Sequence, residues 1–276
     1  MQSSPEKSTS EIPLEIIRFV FPKSPELALY ALATLQSFVE HYYKAIERLR
    51  IWHEYPELQR RLHVYVHCEQ QFYTTFIDSF PECAEFVLPG DKLVTDELCV
   101  VLHEKVLDQF DLASGYSVQW AMGQLAGTKP QLVPTIKAPV TESVAYVHHH
   151  YRVDMPNVQY IATEAVDRSC MLAYSIASQA SVVVAPQGLL TVLAVSMGKA
   201  VIEVTKTATH RPFNGARNYV QVSMLTPDKF FQNSLQRGVK WLHKKITSPL
   251  PVSSAEIPSA SSQPPSESAV QPAKSA

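Results

Sequence analysis

Glycine is scarce in this chain, at 8 of 276 residues. The phosphate-binding loops of dinucleotide-binding and P-loop folds need several glycines at fixed spacing, and the sequence contains neither GxGxxG nor a Walker loop. The GxSxG turn that carries the nucleophile of α/β-hydrolases is also missing. These absences argue against three common classes of α/β enzyme.

Strong net charge and long apolar runs are missing as well. The chain has 24 basic and 26 acidic side chains and a formal net charge of -2, so no global basic field attracts nucleic acid or an anionic membrane. No apolar run is long enough to cross a bilayer. The polar start, MQSSPEKSTSEIP, lacks the apolar stretch of a signal peptide. We therefore expect a cytoplasmic protein without a transmembrane segment and with no strong nucleic-acid signal.

Cysteine is rare, and its spacing contains no CxxC motif. The four cysteines are Cys68, Cys83, Cys99 and Cys170, and each lies in or beside an apolar segment. This placement favours buried free thiols in a reducing compartment. A disulfide or a metal site is the alternative.

Both ends of the chain are polar. Residues 1–11 and 247–276 are rich in Ser and Pro and have few large apolar side chains. Such segments cannot offset their chain entropy by burial, so we predict that they are disordered. The C-terminal tail is also a candidate interaction arm for a protein partner.

Between these ends, strand-like and helix-like patterns alternate. Apolar runs such as LHVYVHC (62–68), VAYVHHHY (144–151) and SVVVAP (181–186) predict strands, and a long helical pattern runs from Glu26 to about Arg50. Fully apolar strands that alternate with helices indicate parallel sheets covered on both faces.

A Pro-containing stretch from Lys129 to Pro139 is typical of a linker. We therefore predict an α/β fold with two Rossmann-like lobes, at 12–135 and 140–246. A further helix is predicted over 167–180, with Asp167 as its N-cap.

The strand over 181–186 leads through a turn into the apolar helix GLLTVLAVSMGK. In doubly wound sheets, ligands bind beyond the C-terminal strand ends, and a helix N-terminus favours an anion such as phosphate. Gly188 in this turn allows a ligand to approach the backbone closely. The alternative is an ordinary β–α turn, because every such turn has a helix N-terminus and most bind nothing.

The segment ASQASVVVAPQGLLTVLAVSMGKAVIEV (177–204) resembles the donor-side segment of the ADP-heptose:lipopolysaccharide heptosyltransferases, which have the two-lobed GT-B fold. In that family a strand, a glycine-containing turn and a helix ending in Gly follow one another. The resemblance implies that a nucleotide-diphosphate sugar binds at this turn. The residues implied as its contacts are Gln187, Gly188, Leu189 and Thr191. The family turn, Asp-Ser/Thr-Gly-Pro-Met-His, carries an acid and a histidine that are missing here.

The loop that follows, KTATHRPFNGARNYVQV (206–222), is similar to the family loop with Thr, Arg, Pro and Gly. The resemblance implies that Lys206, His210 and Arg211 face the diphosphate, and Arg suits phosphate as a bidentate donor. A solvated loop with ordinary surface charges is the alternative.

The N-terminal segment IIRFVFPKSPELALYALATLQSF (16–38) is similar to the family opening. Glu26 falls at the position of the family's presumed general base, and Pro25 replaces the glycine. The resemblance therefore implies that Glu26 deprotonates an acceptor hydroxyl. Alternatively, Glu26 is an acid in a first helical turn, where the helix dipole favours it.

Three consecutive histidines end the predicted strand 144–151. Alternation on a strand puts His148 and His150 on one face and His149 on the other. Two imidazoles on one face need a third ligand to hold a metal, and no nearby acid or cysteine spacing supplies one. We therefore predict no metal site; lining of the interlobe cleft and plain structural roles are the alternatives.

The resemblance implies transfer of a hexosyl or heptosyl group from a nucleotide-diphosphate sugar to a hydroxyl of a glycan or lipid-linked acceptor. It implies neither a cofactor nor a metal ion, because enzymes of this fold commonly stabilise the leaving diphosphate with helix dipoles and basic side chains. The second lobe is shortened relative to the family. One alternative is a non-catalytic descendant that serves as a binding or assembly module. Another is a different enzyme of GT-B shape, such as a nucleotide-sugar epimerase.

Overall fold

The computed structural model describes residues 14–52, 61–88, 98–108, 118–129, 131, 133–137, 144–205, 213, 216, 218–224 and 228–247. The predicted disordered ends lie outside these residues, apart from Thr247 at the end of the last helix. Across the described part of the chain, no helix is both long enough and apolar enough to span a bilayer.

The N-terminal sheet contains four parallel strands in the order β3-β2-β1-β4. The strands are β1 (Leu14–Val20), β2 (Arg61–His67), β3 (Ala84–Val87) and β4 (Leu98–Val101). The helices of this half are α1 (Pro25–Trp52), α2 (Gln70–Thr75), α3 (Glu104–Leu107) and α4 (Val118–Leu125). A short 3-10 helix, Ile77–Ser79, follows α2.

The C-terminal sheet contains five parallel strands in the order β6-β5-β7-β8-β9. The strands are β5 (Val144–His148), β6 (Val158–Ile161), β7 (Ala180–Pro186), β8 (Ala200–Thr205) and β9 (Tyr219–Ser223). The helices are α5 (Thr163–Val166), α6 (Cys170–Gln179), α7 (Leu189–Ser196) and α8 (Asp228–Thr247). Two parallel sheets with alternating helices confirm the predicted α/β fold. The exact lobe boundaries stay a prediction.

Helix α1 packs against both halves of the molecule. Pro25 occupies its first position, where a missing N–H costs nothing, and Glu26 lies in its first turn. Leu29, Leu32 and Leu35, spaced three residues apart on one helix face, are fully buried. The helix packs against α4 of its own half and against α7 of the other half. Its N-terminal end is therefore held at the interface between the sheets.

Aromatic contacts reinforce this interface. Phe76 after α2 meets Tyr174 of α6 edge-on, with ring centroids 5.9 Å apart. Tyr30 of α1 lies 6.5 Å from the ring of Phe213, which is fully buried. One apolar cluster includes buried side chains from both halves, so the two sheets share a core.

The prediction that Asp167 caps the helix over 167–180 is wrong. Helix α6 begins at Cys170, and the Ser169 hydroxyl caps it. The preceding residues form the short helix α5, which ends at Val166 and has Asp167 as its C-cap. The Asp167 carboxylate is thereby directed to a different helix, where it accepts a hydrogen bond from the N–H of Leu190.

The strand predicted over 144–151 is too long. It ends at His148, because the Tyr151 N–H donates to the His148 carbonyl at 2.8 Å and closes a turn around His149 and His150. Strand alternation therefore does not apply beyond His148. The three imidazole rings lie together, with centroids 3.9 to 5.0 Å apart.

The four cysteines are free thiols, as predicted, but only Cys68 and Cys170 are buried, whereas Cys83 and Cys99 are half-buried. Burial raises the pKa of Cys68 to about 12 and the pKa of Cys170 to about 11. Both thiols therefore stay protonated at neutral pH, which suits a structural role.

Candidate functional site

The turn between β7 and α7 is closed by its own hydrogen bonds. Gly188 has an extended backbone and lies buried between Gln187 and the first residue of α7. Its N–H donates to the Thr191 hydroxyl oxygen at 3.0 Å, and that hydroxyl donates back to the Gly188 carbonyl at 2.8 Å. Thr191 and Leu189 are buried, so their side chains belong to the packed interior of the first turn of α7.

The N-terminus of α7 already holds an anion, which is the side chain of Asp167. One carboxylate oxygen accepts the Leu190 N–H at 2.9 Å. The other lies so close to Gly188 that a Cβ atom there would be 2.2 Å from it. Burial raises the pKa of Asp167, the Leu190 hydrogen bond opposes that rise, and the charge of Glu164 adds to it. Only glycine leaves room for this carboxylate.

Glu26 faces the same turn from the other half of the molecule. The Gln187 amide donates to a Glu26 carboxylate oxygen at 3.4 Å, across the interface. Burial raises the pKa of Glu26, the Gln187 hydrogen bond lowers it, and the charges of Asp167 and Glu203 raise it further. A carboxylate with a raised pKa is a stronger base than an exposed one, so it suits proton abstraction from a hydroxyl.

A third carboxyl group, Glu203 of β8, lies fully buried behind Glu26. It accepts a hydrogen bond from the Gln221 amide at 3.1 Å. Burial raises its pKa. Nearby, the buried Tyr30 hydroxyl has no hydrogen-bond partner among the described residues.

Glu26, Asp167 and Glu203 form a cluster that we call the interface carboxyl cluster. Glu203 is fully buried, so Glu26 and Asp167 are the members of the cluster that can accept hydrogen bonds from the hydroxyl groups of a ligand. Sequence reasoning did not identify Asp167 or Glu203 as site residues. The available signal for Glu203 was a single acid inside the apolar strand AVIEVT.

The structure brings Glu26, Gln187 and Gly188 together, and their roles in binding and catalysis stay predictions. Lys206, His210 and Arg211 lie outside the described residues, so their roles stay predictions. Phe213, two residues after Arg211 in the sequence, is described, and its ring packs 5.1 Å from that of Tyr219 beside the cluster.

The interface carboxyl cluster predicts an unusual pH dependence of stability. The pKa values of all three carboxyl groups are raised in the folded state, so between the ordinary and the raised pKa the folded chain holds protons that the unfolded chain has released. The cluster's contribution to the free energy of unfolding therefore falls as pH rises through this window. We expect Glu203→Gln to flatten this fall, measured by urea denaturation from about pH 5 to pH 7.

The matched control is Glu47→Gln, which changes an exposed acid on α1. It is expected to leave the pH profile of unfolding unchanged. Equal slopes for Glu203→Gln and the unsubstituted chain would show that Glu203 does not hold its proton in this way.

Comparison with known proteins adds little to these observations. No family model matches this chain, and no curated protein matches it at a significant level. A solved structure that is similar is the crystal structure of the bacterial iron-containing dodecameric glycosyltransferase TibC from enterotoxigenic E. coli H10407. The two chains are 10% identical, with a TM-score of 0.44 over 85% of this chain and 78% of that one. The α/β fold stands on the strand order and register of this chain's own sheets.

Proposed function

We propose that this protein transfers a sugar from a nucleotide-diphosphate sugar to an acceptor hydroxyl, with Glu26 as the general base. The observation that carries the proposal is the Glu26 carboxyl group. It is half-buried at the start of α1, faces the Gly188 turn of the other half, and has a raised pKa. This is the position that the resemblance to heptosyltransferases gives to the base.

The negative charge of the interface carboxyl cluster supports the proposed deprotonation of the acceptor hydroxyl. The acceptor hydroxyl donates a hydrogen bond to ionised Glu26 and gives up its proton as its oxygen attacks the sugar carbon. Asp167 and Glu203 favour this transfer, because their negative charges raise the proton affinity of Glu26. Their electrostatic effect is strongest in a site that excludes water.

For the donor, we propose that the diphosphate binds at the N-terminus of α7. Backbone N–H groups and basic side chains stabilise the negative charge that develops on the leaving nucleoside diphosphate. Lys206, His210 and Arg211 supply the positive charges in this proposal. In this proposal the Leu190 N–H becomes available to the donor when the Asp167 carboxylate moves away from it.

The transfer proposal is tested by following nucleoside diphosphate release. The full chain is incubated with a panel of nucleoside-diphosphate sugars, with and without pooled glycan and lipid-linked acceptors. The proposal predicts release from at least one donor, accelerated by an acceptor. No release from any donor above a heat-inactivated control would overturn it.

A second candidate is a non-catalytic binding or assembly module, and the position of Asp167 favours it. This carboxylate occupies the space beside Gly188 and the Leu190 N–H, where a donor phosphate would bind. An Asp167 carboxylate that stays in this position excludes the donor phosphate from the N-terminus of α7. On this reading the chain neither binds nor cleaves nucleotide sugars.

A further inference from the structure

We propose that His148, His149 and His150 bind one divalent transition-metal ion such as Zn²⁺, with Glu164 orienting His148. The site lies at the carboxyl end of β5, where the chain turns away from the sheet. Imidazole nitrogens are good ligands for Zn²⁺, Ni²⁺, Cu²⁺ and Co²⁺. The proposal is independent of the proposed transfer reaction and replaces the prediction that no metal binds.

The first argument is the spacing of the imidazoles. One ligand nitrogen from each histidine lies within 4.8 Å of the others. Two nitrogens bound to one tetrahedral zinc ion at about 2.1 Å lie about 3.4 Å apart. The widest pair must therefore approach by up to about 1.4 Å, which side-chain rotations provide. His149 and His150 are exposed and have room for these rotations.

The second argument is the unsatisfied nitrogen of His148. This side chain is buried, at 4% exposure, and its Nδ1 has no hydrogen-bond partner among the described residues. A buried polar atom without a partner costs about 1–3 kcal/mol. A metal ion bound at Nδ1 would remove this cost.

The third argument is the orientation of two rings by oxygen partners. His148 Nε2 lies 3.3 Å from a Glu164 carboxylate oxygen, and His149 Nδ1 lies 3.3 Å from the carbonyl of Ile161. In each ring the nitrogen next to an oxygen acceptor carries the proton, which leaves the other nitrogen as a free ligand. Carboxylate and carbonyl partners of this kind accompany most metal-binding histidines.

Three histidine ligands leave a fourth position of a tetrahedral ion for water or another molecule. The ion would also join the end of β5 to the start of α5, because Glu164 belongs to α5. Asp167, which caps α7, follows three residues later in the chain. Metal binding is therefore expected to stabilise the segment on which the Gly188 turn depends.

The test is calorimetric titration of the untagged full chain with Zn²⁺, after removal of metals by a chelator. We expect one ion per chain and a rise in Tm with Zn²⁺, because a ligand of the folded state stabilises it. The double substitution His149→Ala/His150→Ala changes two exposed residues and is expected to weaken binding by at least about 100-fold and to abolish the Tm rise. Glu164→Gln is expected to weaken binding by about 10- to 100-fold.

His63→Ala is the matched control, since His63 also lies beside a carboxylate, Glu85, but in the other half of the molecule. It is expected to bind Zn²⁺ with unchanged affinity. Titration with Co²⁺ adds visible absorption bands whose position and intensity report the coordination geometry of the bound ion. Equal Zn²⁺ affinity of the double variant and the unsubstituted chain, or an equal loss in His63→Ala, would overturn the proposal.

Discussion

Replacing Glu26 with glutamine is expected to lower the rate of sugar transfer by about 10²- to 10⁴-fold, the usual contribution of a general base. The amide has nearly the same shape as the carboxylate and can still hydrogen-bond to Gln187, but it cannot accept the acceptor's proton. The loss should fall on kcat, with little change in KM for the donor. Initial rates of nucleoside diphosphate release measure both quantities.

Glu47→Gln is the control for this result, because Glu47 is an exposed acid on the same helix. It is expected to leave both kinetic constants unchanged. A Glu26→Gln chain that transfers sugar at the rate of the unsubstituted chain would show that Glu26 is only a first-turn acid of α1. A transferase, if confirmed, would then need a different base.

Replacing Gly188 with alanine is expected to lower the free energy of unfolding by about 2–4 kcal/mol. The new Cβ would lie 2.2 Å from an Asp167 carboxylate oxygen, so that carboxylate must move. Its movement breaks the hydrogen bond to Leu190 and leaves the first turn of α7 without its side-chain cap. Urea denaturation at constant pH measures the loss.

Asp167→Ala identifies the cause of this loss. In that background the clash and the cap are both already removed, so adding Gly188→Ala should cost less than it does alone. Gly238→Ala in α8 is the control, since its Cβ would meet its neighbours at ordinary distances of 3.6 to 3.8 Å. It should not destabilise the chain. Strictly additive effects of Gly188→Ala and Asp167→Ala would contradict the contact.

The strands and long helices were predictable from the sequence because their signal is local. SVVVAP is an uninterrupted apolar run, and the structure extends it by one residue, to Ala180–Pro186. The helical pattern of α1 likewise begins with Ser-Pro, and the predicted first residue of the helix differs from the observed one by a single position. Burial on both faces of a parallel sheet leaves this pattern in any sequence.

The candidate site was less predictable because its contacts join distant parts of the chain. Asp167 lies directly before a helical pattern, so local rules assign it as that helix's cap, and only the folded chain places it 23 residues away at Leu190. The histidine cluster was missed for a similar reason. The chain turns at His149 and His150, so the side chains after His148 no longer alternate between the two faces of the sheet. No local pattern in VAYVHHHY marks where the strand ends.

Ligand-observed NMR with a panel of nucleoside diphosphates and nucleotide sugars tests the central claim, a donor site at the Gly188 turn, most directly. The account predicts binding in the micromolar to millimolar range by the full chain and weaker binding by Arg211→Ala, since the proposed site uses that side chain to hold the diphosphate. Absence of binding by every nucleotide would contradict the claim. The Gly188 turn would then be a β–α turn whose only anion is Asp167.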